Sequence, residues 1–148
     1  MRTWLEEYSV GDEMRSPYFR LRTEEIVNYA RYTHDLRPLL FDTPERAAEP
    51  MFIPPLYLLS LGMCLLSQSE ERSYLPERLI AFLGFQTVTF GARAQVDDLI
   101  YSWAAVDAVD LGGRRGRLWY RHEVRNQDDA VLVANRHGMY VGRRADEA

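Results

Sequence analysis

Residues 53–66, IPPLYLLSLGMCLL, constrain the fold more than any other stretch of the chain. Proline is tolerated in a helix only in its first turn, so Pro54 and Pro55 mark the start of a helix running to about residue 68. The segment is apolar almost all round. Such a helix is buried on most faces and needs a sheet wrapped over it. Gly62 costs a helix interior about 1 kcal/mol relative to alanine, and a close backbone approach would justify it. The run is too short and too interrupted to span a bilayer. Cys64 lies inside it and reads as a buried structural thiol, with no cationic neighbour in sequence to activate it.

From residue 79 the period changes to that of strands. The candidates are 79–93, broken at Gly84 or Gly91, then 99–110, 116–127 and 131–141. Trp119, His122 and Val124 carry part of an alternation. Short turns at Val96-Asp97-Asp98, Asp110-Leu111-Gly112-Gly113 and Asn126-Gln127-Asp128-Asp129 join the strands, which predicts an antiparallel meander. Upstream, residues 8–12 form a turn and 16–22 a strand. Thr23 is the predicted N-cap of a helix that carries Ile26, Tyr29, Ala30 and Thr33 on one face. Pro38 biases Arg37 out of the helical region, so 33–42 is a loop. A short helix follows at about 44–48. Helices first and sheet later argue an α+β chain, and the length fits one domain over residues 1–148.

The net charge is −4, and all 18 basic residues are arginine. The acidic balance and the lack of a basic stripe disfavour nucleic acid. Arg114, Arg115 and Arg117 crowd a glycine-rich turn. They read either as solvated or as contacts for a phosphate. Three scattered histidines without ligand spacing support no metal site. His122 and His137 fall on strand patterns and read as packed or surface residues. No basic segment followed by an apolar one opens the chain, so the cytoplasm is the expected location, with no membrane partner.

Several stretches together resemble the MaoC-like hydratase/dehydratase family, which has the hot-dog fold. Val10-Gly11-Asp12 is similar to its opening V-G-D. Asp35-Leu36-Arg37-Pro38-Leu39-Leu40-Phe41-Asp42 resembles its loop D-x-N-P-[IL]-H-x-D. Ile53-Pro54-Pro55-Leu56 stands where I-[AV]-[HP]-G opens the central helix. Val88-Thr89-Phe90 and Val96-Asp97-Asp98-Leu99-Ile100 resemble V-x-F and P-G-D-x-[LI]. Asn126-Gln127-Asp128-Asp129 echoes the family's late N-Q-x-G turn. The resemblance covers nearly the whole chain in order. It implies an antiparallel sheet around one long central helix, and a homodimer or a heterodimer with a second hot-dog subunit. It also implies addition or removal of water across the α,β bond of an acyl thioester on coenzyme A or a carrier protein, with no cofactor.

That chemistry needs a base, a group that positions water, and N–H donors at the helix start to polarise the thioester carbonyl. Asp35 matches the catalytic aspartate. Arg37 replaces asparagine, Leu40 replaces the loop histidine, and Leu56, with Pro55 before it, replaces the helix-start glycine. His34 stands where the family has glycine and is a candidate substitute for the lost histidine. Arg37, Leu40, Pro55, Leu56 and Tyr57 are the expected substrate-binding set. Three readings follow: a divergent hydratase or dehydratase working with Asp35, a hot-dog thioesterase, or a non-catalytic acyl-binding subunit of a hetero-oligomeric dehydratase.

Overall fold

The computed structural model of the chain describes residues 3–35 and 51–144. Two short strands, β1 (Glu13–Arg15) and β2 (Phe19–Arg20), lead into helix α1 (Thr23–Tyr32). Helix α2 (Pro55–Leu65) precedes four long strands: β3 (Leu79–Phe90), β4 (Leu99–Asp110), β5 (Arg115–Arg125) and β6 (Val131–Gly142). The sheet runs β1-β4-β5-β6-β3, with β2 paired to β4, and every pairing is antiparallel. The expected meander β4-β5-β6 is present with boundaries within two residues. The segment expected as a strand at 16–22 pairs only at Phe19 and Arg20. The expected short helix at 44–48 lies outside the described residues.

The central helix begins and ends within a residue of the expected bounds, but its last turn is not α-helical. Its α-helical part spans 11 residues, and residues 66–68 tighten into a 3-10 turn. The prolines do set its start, with Pro54 at the N-cap and Pro55 in the first turn. Its core face is Tyr57, Leu58, Leu59, Gly62 and Leu65. On the opposite face Leu56, Ser60 and Cys64, four residues apart, form an exposed stripe. Cys64 is therefore exposed, not a core thiol. Apolar composition hid this, because serine and cysteine are small enough to interrupt the run without making it polar.

Two apolar clusters fill the space between helix and sheet. The start of α2 (Ile53, Tyr57, Leu58, Leu59) packs with Ile26 and Ala30 of α1 and with Ile100, Val124 and Val133 of the sheet. The other end, at Leu66, packs with Leu5, Met14, Val106, Leu118, Met139 and Val141. β5 alternates strictly, burying Leu118, Tyr120, His122 and Val124 on one face. Trp119 belongs to the other face. Its ring lies over Gly138, where an added Cβ would come within 2.6 Å of ring carbons.

α1 begins at Thr23, but with Arg22 as N-cap and no side-chain cap bond, so Thr23 is the first helical residue and not the cap. Its other end is well defined. His34 N–H donates to Arg31 O at 3.2 Å and Asp35 N–H to Ala30 O at 2.9 Å, with His34 at φ 56°. This is a Schellman stop, in which the residue after the cap turns left-handed and its neighbour bonds back across the last turn. Glycine suits that position best, which accounts for the glycine that the family resemblance leads one to expect where His34 stands.

Candidate active site

The end of α1 and the start of α2 lie at the same end of the core. Tyr29 and Tyr57 stack in a tilted pair with ring centres 5.1 Å apart. The Schellman stop brings the chain out at Asp35, which is half-buried. His34 is exposed, held by backbone geometry at the turn. Arg37 and Leu40 lie outside the described residues.

At the start of α2 the two prolines have no N–H. Tyr57 N–H and Leu58 N–H both donate to Pro54 O, at 3.0 and 3.3 Å. Leu56 is thus the first helical residue with an amide hydrogen. It has no backbone acceptor among the described residues, and its side chain is 60% exposed. An unpaired amide at a helix N-terminus is where a developing oxyanion is best stabilised.

Tyr57 is buried, and burial, with the Glu25 carboxylate nearby, pushes its phenol up to about 12. It is therefore a hydrogen-bond donor at neutral pH, not a base. Glu25 reads in the sequence only as a first-turn anion of α1. In the fold its Oε2 is buried without a hydrogen-bond partner. Its place beside Ile26, which is fully buried, was the signal available for this. Together these groups offer a carboxylate for proton transfer, a neutral phenol and an amide donor, the components of acid–base chemistry at a carbonyl-activated carbon.

A second polar set lies deeper. Ser102 Oγ donates to Gly62 O at 2.8 Å. His122 Nε2 is 3.3 Å from Ser102 Oγ, and His122 Nδ1 is 2.7 Å from Asn135 Nδ2. Asn135 Oδ1 is 2.7 Å from His137 Nδ1, and His137 Nε2 is 2.8 Å from Tyr74 Oη. The amide of Asn135 fixes the protons. Its NH2 donates to His122, which then carries hydrogen on Nε2, and its oxygen accepts Nδ1–H of His137. Both rings are fully buried. Alternation on β5 and β6 placed these histidines on strands, but pairing across the strands, His122 opposite Asn135, was not readable from one strand at a time.

No family model matches the chain, and no curated protein matches its sequence. Solved structures do. A MaoC-like dehydratase from Rhodospirillum rubrum superposes with a TM-score of 0.79 at 21% identity, over 95% of this chain and 97% of that one. The (R)-hydratase of A. caviae involved in PHA biosynthesis gives 0.72 at 22% identity, over 90% and 97%. The chain has the hot-dog fold of the MaoC-like dehydratases. The HadBC 3R-hydroxyacyl-ACP dehydratase complex from Mycobacterium tuberculosis contains the same fold, with a TM-score of 0.69 at 17% identity over 88% of this chain and 96% of that one. No helix among the described residues is long and apolar enough to cross a membrane.

Proposed function

We propose that this chain is a divergent acyl-thioester hydratase or dehydratase in which Asp35 moves the proton and the Leu56 N–H polarises the thioester carbonyl. One observation carries the reading. A Schellman stop brings the chain out at Asp35 at the end of the core where α2 begins, and after two prolines the Leu56 N–H has no backbone acceptor among the described residues. The Tyr57 phenol is a further donor at that mouth, and Leu56 offers an acyl chain an apolar contact. With leucine at position 40, no loop histidine assists with water, so turnover is expected to be slow.

The direct test is hydration of crotonyl-CoA and of longer enoyl-CoA thioesters by the wild type and Asp35→Asn. Removing a positioned acid–base group is expected to lower kcat/KM by about a hundredfold or more. Equal turnover in the two proteins would sink the role of Asp35. Release of free thiol in place of hydration would turn the reading to a thioesterase.

Leu40 and Leu56 favour one other reading, an acyl-binding subunit whose partner supplies the catalytic pair. In that case the pure chain is silent, and activity appears when a hot-dog subunit with an intact D-x-N-P-x-H loop is added.

Either reading uses a paired assembly, and β3 is the edge that would form it. Among the described residues this 12-residue strand bonds only to β6. Along it Leu79, Ile80, Phe82, Leu83 and Phe85 are each 41–45% exposed. A long apolar edge left open invites strand pairing or aggregation. Leu83→Arg is expected to convert a dimer to a single-chain mass in light scattering while leaving the thermal transition in place. A wild-type mass of one chain would count against the assembly.

A further inference from the structure

The turn that joins β4 to β5 carries the arginines left unassigned by the sequence. There the turn and the ends of β3 and β6 enclose a cleft of about 800 Å³, lined by Arg78, Asp110, Arg114, Arg115, Arg117 and Tyr140. Among the described residues lining it are four guanidinium groups and one carboxylate, on a chain whose net charge is −4. Asp110 is already engaged. It accepts Gly112 N–H at 2.8 Å and lies 3.7 Å from Arg117, both side chains about half exposed. Arg78 Nη1 is buried from solvent with no hydrogen-bond partner. Gly142 lets Arg78 lie there: an added Cβ would come 3.1 Å from Arg78 Cβ and Nε. The turn itself is clamped, since Arg143 Nη1 donates to Leu111 O and Gly113 O at 2.7 and 3.2 Å. The charge of Arg143 is met by Glu6 at 3.1 Å.

Uncompensated cations held together in a concavity repel one another, and an orphaned guanidinium N–H adds the cost of a lost hydrogen bond. An anion with several oxygens removes both costs. Guanidinium forks match phosphate oxygens two at a time. The cleft is larger than one phosphate requires and is in the range of small-molecule sites. Arg115 lies over the Tyr140 ring at 5.9 Å, a flat platform of the kind on which a base stacks. We propose that this cleft binds a nucleotide-type polyphosphate. In one protomer it lies beyond the Leu66 end of the core, away from Asp35 and Leu56, so it stands apart from the thioester reading. A free nucleotide and the nucleotide handle of coenzyme A share this chemistry.

Calorimetric titration of the full chain with ATP, adenosine 3′,5′-bisphosphate, coenzyme A and inorganic pyrophosphate tests it. Saturable nucleotide binding is expected, falling as salt rises. Arg78→Gln and Arg115→Ser should each weaken it by about tenfold or more, as loss of a charge-assisted pair does. Arg93→Ser removes the same charge from an exposed position outside the cleft and should leave binding unchanged. Preference for coenzyme A over ATP identifies the handle as the source; the reverse identifies a free nucleotide. The proposal is overturned if no nucleotide saturates the site, or if Arg78→Gln and Arg115→Ser bind as tightly as wild type. Loss of enoyl-CoA hydration in Asp35→Asn, or its absence in the wild type, leaves this titration unaffected, so the two readings fail separately.

Discussion

Gly62→Ala is expected to lower the stability of the fold by about 1 kcal/mol, and Gly62→Val to prevent folding. Alanine at an ordinary helix position would gain about 1 kcal/mol over glycine. Here the added Cβ meets Val124 Cγ2 at 2.3 Å, Ser102 Oγ at 3.0 Å and His122 Cε1 at 3.3 Å. Val124 is a fully buried, β-branched residue in the middle of the sheet, and β-branching restricts its χ1 freedom. Overpacking of this kind costs about 1–3 kcal/mol. Any outward shift of the helix also stretches the bond from Ser102 Oγ to Gly62 O, now 2.8 Å. Urea denaturation measures the loss. Val124→Ala should restore much of it in the double variant, and the double-mutant cycle then gives a favourable coupling. An alanine variant as stable as the wild type, or a double variant whose losses simply add, would show that the helix does not press on the sheet at this point.

Gly62 was the part of the site region that the sequence stated most directly: a costly glycine in an apolar helix asks for a close neighbour, and the sheet supplies it. The stretches that carried the family resemblance were legible for a related reason. Gly11 takes φ 91° and bonds through its N–H to Val106 O, while Asp12 accepts Ser9 N–H. Asp98 accepts Gln95 N–H, and Gln127 bridges Leu99 N–H and Asp98. Asn126 accepts two backbone N–H groups of its own turn. These residues lock turns, so they report the fold and not the reaction. The proposed chemistry rests on 35–42, of which only Asp35 is among the described residues. Cys64 was misread because composition does not say which face of a helix a small side chain takes. The partners of His122 and His137 were hidden because they come from other strands.

Those two histidines should set the acid limit of the fold. Burial holds His122 down to about 3, with His137 adding to the effect, and His137 down to about 4, both from 6.5. The network adds to burial in keeping His122 neutral, while burial alone accounts for His137. A proton on His122 Nδ1 would face the Asn135 NH2. Flipping that amide to accept it would turn the NH2 onto the Nδ1–H of His137. The folded chain thus stays unprotonated while the unfolded chain takes up two protons. Stability contributed by the neutral pair is complete above the unfolded value near 6.5. It is lost as pH falls from there through the folded values, and the slope approaches two protons, about 2.7 kcal/mol per pH unit. Urea midpoints measured between pH 8 and 4 should fall accordingly. The His122→Gln/His137→Gln variant starts less stable, because the network is broken, but should lose little further stability between pH 6.5 and 4.5. The difference between the two slopes isolates the histidines from carboxylates that titrate in both proteins. Equal slopes would mean that the buried pair charges within the fold, with Asn135 and Tyr74 rearranging to accept it.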